Sequence, residues 1–285
     1  MPKGADVTEP MKILSLGAGV QSSTLLYMSA LGELPRIDHA IFADTGWEPK
    51  PVYEWLEHLK IFSSEHGIPL HVVSKGDLRK DAEKGSHTID SGRHYSMMPI
   101  FTKNATTGHQ GKIFARQCTT YYKVRIIQKK LRELAGLSPH QRGPGTLLVE
   151  HWFGISQDEI RRTRISPHTW IDYRYPLIED CDPPMTRQDC ISWWRNKGMA
   201  APPRSSCCGC PFHRDSEWRW LKENDPAGWA DAVEFDRKIR RAGDHETEGY
   251  LHRSVVPLDE VDLRSAEEKG QGNMFDNECT GVCGV

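Results

Sequence analysis

The first patterned stretch of the chain is an apolar run, Met11-Lys12-Ile13-Leu14-Ser15-Leu16, that reads as a buried strand. Small residues follow it, Gly17-Ala18-Gly19-Val20-Gln21-Ser22-Ser23-Thr24, and then Leu25-Leu26-Tyr27-Met28, which reads as a helix. The cycle repeats. Residues 37–43 form a second apolar run that ends at Asp44-Thr45-Gly46. Pro49 and Pro51 then open a helix with Val52, Trp55, Leu56, Leu59 and Phe62 at helical spacing. Leu70-His71-Val72-Val73 predicts a third short strand, and residues 146–150 another. Strands alternating with helices predict parallel pairing and an α/β fold built on a doubly wound, mostly parallel sheet.

Residues 81–111 interrupt this alternation. They are rich in Gly, Ser, Thr and His without any period, and so long a loop in a compact domain reads as a mobile flap. Thr119 or Thr120 is the expected cap of a helix that runs to Gly136 with Val124, Ile127, Leu131 and Leu134 as its apolar stripe. Further helices are expected over 186–197 and 215–241. The helical spacing of Trp193, Trp194, Trp218, Trp220 and Trp229 points to core packing rather than to base stacking.

The turn after the first strand carries chemistry. A strand, a small-residue turn and a helix N-terminus together make an anion site. Glycines admit a phosphate close to the backbone, and the first-turn N–H groups point at it. Ser22, Ser23 and Thr24 add hydroxyls. The turn is neither a Gly-Lys-Ser loop nor a dinucleotide fingerprint. In parallel sheets ligands bind beyond the C-terminal strand ends, where both this turn and Asp44-Thr45-Gly46 fall. The plain alternative is a helix start with no ligand.

Charge and cysteine content narrow the function. With 37 basic and 39 acidic residues the net charge is −2, which argues against bulk coating of nucleic acid and leaves a local basic groove open. Residues 112–132 hold Lys112, Arg116, Lys123, Arg125, Lys129, Lys130 and Arg132 with no acidic residue, most of them expected on a solvated face. No run of 18 apolar residues predicts a membrane span, and no apolar leader precedes residue 10, so a cytoplasmic location is expected. Eight cysteines in such a chain suggest metal or redox chemistry rather than disulfides. Cys207-x-x-Cys210, followed at once by Pro211, offers two thiolates to one metal or cluster edge. Cys118 is the third candidate, since Arg116, Lys123 and a helix start favour its thiolate. Zinc would need a fourth ligand that the sequence does not supply. A [4Fe–4S] cluster held by three cysteines leaves one iron open to sulfide or substrate. Cys208 could replace Cys207, and Cys208, Cys279 or Cys283 could supply a fourth ligand. Cys181 and Cys190 read as packed neutral thiols.

Taken in order, these segments resemble the PP-loop superfamily of ATP pyrophosphatases and PAPS reductases. Its pyrophosphate loop is usually Ser-Gly-Gly-x-Asp-Ser-Ser/Thr; here Gly17 stands for the Ser, Ala18 for a Gly and Gln21 for the Asp. Asp44-Thr45-Gly46 resembles the Asp-Thr-Gly of the reductases. Gly154-Ile155-Ser156-Gln157-Asp158-Glu159 with Arg161 to Arg164 resembles their Gly-Leu-Arg-Arg-x-Gln segment ending in Thr-Arg, and Tyr175-Pro176-Leu177-Ile178 resembles their Asn-Pro-Leu. Asn277-Glu278-Cys279-Thr280-Gly281 is similar to the Glu-Cys-Gly tail that carries the reductases' catalytic Cys. Iron–sulfur reductases place a Cys-Cys pair before their Cys-x-x-Cys. Here Cys118 is single, which resembles the three-ligand clusters of tRNA thiolation enzymes.

The resemblance implies an adenine nucleotide alpha-hydrolase-like fold with three parts: a loose tail over 1–10, a PP-loop domain over 11–200 with its flap at 81–111, and a C-terminal helical, cysteine-bearing segment with a Gly-rich tail over 201–285. It implies ATP, with Mg2+, held by Gly17, Ala18, Gly19, Gln21, Ser22, Ser23, Asp44, Thr45, Gly46, Gly154 and Ser156. It implies a [4Fe–4S] cluster on Cys118, Cys207 and Cys210. Lys123 and Arg164 would offset phosphoryl charge, and Cys279 would carry sulfur. The implied reaction is ATP-dependent sulfur transfer by adenylation of an acceptor, a tRNA, a DNA or a nucleotide. Sulfide or a cysteine desulfurase would be the sulfur donor. A homodimer or partner subunits fit the same reading. Two alternatives stand beside it: a sulfonucleotide (APS/PAPS) reductase releasing sulfite, and a non-catalytic nucleotide-binding subunit of a nucleic-acid modification complex.

Overall fold

The structure, a computed structural model, describes residues 9–84, 88–89, 92–93, 98–111, 117–240, 247–265 and 268–269. Residues 1–8 of the expected N-terminal tail, Lys112, Arg116, Cys279 and Cys283 lie outside the described residues. In chain order the elements are β1 (Met11–Leu16), α1 (Val20–Ala30), β2 (His39–Asp44), α2 (Lys50–Glu65), β3 (Leu70–Ser74) and α3 (Leu78–Lys84). Short strands β4 (Thr88–Ile89), β5 (Gly92–Arg93), β6 (Phe101–Asn104) and β7 (Gln110–Gly111) come next. A π-helical turn (Thr120–Val124) leads into α4 (Arg125–Leu134), followed by β8 (Val149–Phe153), a 3-10 turn (Gln157–Arg162), β9 (Ile171–Arg174) and α5 (Pro176–Glu179). The last elements are α6 (Arg187–Asn196), α7 (Asp215–Asn224), α8 (Pro226–Ile239), β10 (Thr247–Tyr250) and a closing 3-10 turn (Leu258–Glu260).

Two compact units alternate along the chain. One comprises Met1–Ala43, Trp55–Val73 and Ile127–Arg204; the other comprises Asp44–Glu54, Ser74–Ile126 and Ser205–Val285.

The first unit is the α/β body. Its five strands lie in the order β3-β2-β1-β8-β9, with β1–β2, β1–β8 and β8–β9 all parallel. The order runs outward from β1 in one direction and from β8 in the other. The boundary between these two strands is therefore the switch point of a doubly wound sheet, where ligands bind. Ile13, Leu14, Leu25, Leu26, Ile37, Ile41 and Trp152 are fully buried around it. α6 starts with a reciprocal cap, in which Thr186 Oγ1 accepts from Asp189 N at 3.2 Å and Asp189 accepts from Thr186 N at 2.8 Å. Trp194 of α6 is buried, and its indole meets Tyr27 of α1 edge-on at 4.5 Å. The core role expected for the tryptophans holds for Trp194 and Trp218, both at 0% exposure. The strand expected at 146–150 runs instead over Val149–Phe153, because Trp152 and Phe153 continue the pairing with Leu14 and Ser15.

The second unit holds a three-stranded antiparallel sheet, β10-β6-β7, and a core of Trp47, Tyr122, Trp218, Leu221, Phe235 and Leu251. Part of this sheet comes from the expected flap, since β6 and β7 are strands of four and two residues. Strands that short leave no readable period. The single helix expected over 215–241 is two helices. Pro226 has no N–H and disfavours helix at Asp225, so α7 stops at Asn224, and Asp225 then caps α8 by accepting from Gly228 N at 3.0 Å.

Candidate functional site

In the first unit, β1 delivers the chain to the small-residue loop. Ala18 sits at φ 56, in the left-handed region that non-glycine residues seldom occupy, and is fully buried. Gly17 N donates to Ser22 Oγ at 3.1 Å, Ser22 Oγ donates to Gly19 O at 3.4 Å, and Ser23 N donates to Gly19 O at 3.0 Å. Gly19 is the N-cap of α1, with no side-chain cap and no acidic residue in the first turn. The N–H groups of Val20, Gln21 and Ser22 therefore head the helix without a helical acceptor, as a phosphate site requires. The hydroxyls behave differently from expectation. Ser23 Oγ accepts from Trp55 Nε1 at 3.0 Å; Thr24 Oγ1 donates to Val20 O and accepts from Trp194 Nε1, both at 2.8 Å. Both serve helix packing, and the Ser22 hydroxyl is engaged within the loop itself.

β8 ends on the other side of the switch point and delivers Gly154 and Ser156. A Cβ at Gly154 would meet the backbone of Ser22 and Gln21, so this position needs glycine for close approach. Ser156 is buried and heads the 3-10 turn. Its Oγ donates to Asp158 Oδ1 at 2.6 Å and accepts from Gln21 Nε2 at 3.4 Å. Gln21 Nε2 also donates to Glu159 Oε2 at 3.2 Å, and Glu159 pairs with Arg162 at 2.5 Å. This gives a physical reason for Gln where the superfamily loop has Asp: a carboxylate at 21 would face the carboxylate of Glu159. Arg164 is exposed and turns back on its own segment, its guanidinium donating to the carbonyls of Arg161 (3.1 Å) and Thr163 (2.8 Å).

The second unit gathers the Asp-Thr-Gly segment and the thiols. Asp44 Oδ1 accepts from Gly46 N at 2.8 Å and from Tyr53 OH at 2.9 Å, and Tyr53 OH accepts from Glu48 N at 3.3 Å. Gly46 has φ +72, and a Cβ there would stand 3.0 Å from Asp77 Cα. The Cys-x-x-Cys turn docks on this segment: Cys208 N donates to Trp47 O at 2.8 Å, and a Cβ on Gly209 would collide with the Trp47 ring. Cys210 N closes the turn on Cys207 O at 3.0 Å. Thr45 Oγ1 lies 3.3 Å from Cys207 Sγ, and Cys207 Sγ donates to Glu48 Oε1 at 3.7 Å.

Lys123, from the π-helical turn, pairs with Glu48 Oε1 at 3.5 Å. Burial would push its ammonium down. The charges of Glu48 and of Cys207, Cys210 and Cys118 outweigh burial and hold it well above the ordinary lysine value. Burial, then Glu48, pushes the Cys207 thiol up, partly opposed by Lys123 and the Thr45 hydrogen bond. A metal must therefore displace a proton there, the usual coupling of metal binding to deprotonation.

Among the described residues no three His, Cys, Asp or Glu side chains converge on one ion site. Cys208 is buried in the core beside Asp225, and burial raises its thiol strongly, as it does that of Cys207. Cys190 is buried with its thiol pushed up to about 12, as a packed thiol should be, and burial raises Cys181 as well.

Glu48 and Tyr53 were not singled out in the sequence. Glu48 lies among Trp47, Pro49 and Pro51 with no spacing signal, and Tyr53 is one aromatic on an amphipathic helix.

No protein-family model matches the chain, and no curated protein sequence matches it. It is similar to the solved phosphoadenylyl-sulfate (PAPS) reductase from Candida auris, a phosphate complex, at 14% identity and TM-score 0.42, covering 70% of this chain and 78% of that one. It is also similar to the U34-tRNA thiolase NcsA from Methanococcus maripaludis, solved with its [4Fe-4S] cluster, at 12% identity and TM-score 0.37, covering 82% and 74%. Likeness at this level says nothing about substrate. No helix among the described residues is long and apolar enough to cross a membrane.

Proposed function

We propose that the chain is a PP-loop enzyme that uses ATP to adenylate an acceptor and then replaces the activated oxygen with sulfur, with a [4Fe–4S] cluster on Cys118, Cys207 and Cys210. The observation that supports this reading is that Cys118 and Cys207, 89 residues apart in the sequence, pack against the same core cluster of the second unit. The anion-ready start of α1 at the switch point supports ATP as the other reactant.

ATP would bring Mg2+, and its phosphates would be held by the N–H groups at Gly19 to Ser22. The acceptor oxygen attacks the α-phosphorus, and pyrophosphate leaves. Sulfur then attacks the activated carbon, and AMP leaves with the oxygen. A cluster with one iron free of cysteine supplies, when bound, a place to hold inorganic sulfide. Lys123 supplies positive charge beside the thiolates, which offsets their mutual repulsion. Arg161 and Arg164 are exposed and available to phosphoryl oxygens. A nucleic acid or nucleotide is the proposed acceptor. The test is pyrophosphate release by the anaerobically reconstituted chain with sulfide, tRNA and DNA. Pyrophosphate formed only with acceptor present supports the reading. Sulfite release from a sulfonucleotide without ATP would favour the reductase.

A further inference from the structure

We propose that the turn after Cys118 is a stacking platform for a single-stranded stretch of nucleic acid, built by Tyr121, Arg125 and Lys75; this rests on the reading of the acceptor as a nucleic acid. All three residues belong to the second unit. Tyr121 stands on the π-helical turn, a rare form found frequently at functional sites. Arg125 N closes that turn on Thr120 O, and the Arg125 guanidinium lies over the Tyr121 ring, 4.3 Å from its centroid. Lys75 arrives from just before α3, its Nζ 4.9 Å from the Tyr121 centroid and 4.7 Å from that of Tyr122.

The two neighbouring tyrosines divide the work. Tyr122 packs: it is fully buried and donates its hydroxyl to Asp81. Tyr121 is half-buried, and Lys75, Arg125 and Val124 around it are exposed. No acidic residue lies between 112 and 132. On the Lys75 side, Asp77 is paired with Lys80 at 3.1 Å and Asp81 holds the Tyr122 hydroxyl. The exposed charge here is therefore positive, in a chain whose net charge is −2, and complements a phosphate backbone locally. A guanidinium fixed over a ring is pre-organised for a flat partner, and unpaired bases stack on arginine planes and aromatic rings. Duplex bases are already stacked on one another and offer this surface only phosphates, so the platform selects single strands. Lys75 supplies a point charge for a phosphate. Cys118 precedes Tyr121 by three residues, and both pack against the core of this unit, so a base held here adjoins one of the proposed cluster thiols.

The test is the fluorescence anisotropy of a short labelled oligonucleotide of mixed sequence, as single-stranded RNA, as single-stranded DNA and as duplex, titrated with the full chain at several salt concentrations. A single strand, of either sugar, should bind more tightly than the duplex. Arg125→Ala should weaken that binding about tenfold, the size of one lost base stack, and lower the salt slope by about one. Arg125→Lys should keep the slope and still bind several-fold more weakly, because the charge stays and the stacking plane goes. Both variants change an exposed side chain and should melt with the wild type. No binding of the wild type to any of the three oligonucleotides overturns the nucleic-acid acceptor and the platform with it. Binding by the wild type that Arg125→Ala leaves unchanged, that Arg125→Lys fully restores, or that is as tight for duplex as for single strand overturns the platform alone.

Discussion

A Cβ on Gly154 would stand 2.7 Å from the backbone nitrogen of Ser22 and 2.9 Å from its Cα. The segments that leave β1 and β8 therefore touch backbone to backbone at the switch point. Gly154→Ala must push them apart. Overpacking of this kind costs about 1–3 kcal/mol, and the shift displaces the N–H groups proposed for phosphate. Calorimetry should show a lower melting temperature and weaker ATP binding. Wild-type values for both would show that the contact yields without consequence.

Gln21 bridges Ser156 and Glu159 at 3.4 and 3.2 Å. Gln21→Asp restores the usual superfamily residue but loses both donations and sets two carboxylates together. A loss of about 1–3 kcal/mol is expected from the unpaired acceptors alone. Adding Glu159→Gln should recover much of it. Urea unfolding of the two single variants and the double variant measures this; a double variant no more stable than Gln21→Asp would remove the carboxylate argument.

His151 is buried on β8, and neither ring nitrogen has a hydrogen-bond partner among the described residues. Burial lowers its pKa to about 3. The unfolded chain, with an ordinary histidine near 6.5, binds the proton first. This contribution to stability is therefore intact above about pH 6.5 and declines from there towards pH 3, by about 1.4 kcal/mol per pH unit. Between pH 6.5 and 5 the wild type should lose about 2 kcal/mol that His151→Leu does not. Parallel pH slopes for the two proteins would rule out His151 as the titrating group.

Cys118→Ser, Cys207→Ser and Cys210→Ser should each lower iron incorporation on anaerobic reconstitution, while Cys181→Ala should not. Iron content and the visible charge-transfer absorption report this directly. Full incorporation in all three serine variants would exclude these residues as ligands.

Much of the α/β body is legible in the sequence because its strands are apolar runs and its helices have stripes. Met11–Leu16 and the helix opened by Pro49 follow from pattern alone. The three-stranded sheet of the second unit does not, because strands of two to four residues have no period to read. The alternation of the two units is also invisible, since no composition shift marks residues 43, 54, 73 or 126. Within the candidate site, Cys118, Cys207, Cys210 and Lys123 were singled out from chemistry and spacing. Glu48 was not, because its place beside Lys123 and Cys207 is a property of packing. The hydrogen bond that the Ser23 hydroxyl accepts from Trp55 was not legible either, because Trp55 is distant in sequence.

The most direct test of the central proposal is the stoichiometry of one turnover. The anaerobically reconstituted chain is given ATP, sulfide and total tRNA or genomic DNA, and nucleosides are analysed by mass spectrometry alongside AMP and pyrophosphate. One new sulfur in the nucleic acid for each AMP and pyrophosphate, lost in Cys118→Ser and unaffected in Cys181→Ala, is the predicted result. Sulfite released from a sulfonucleotide with no ATP consumed, or sulfur incorporated equally well without the cluster, would contradict it.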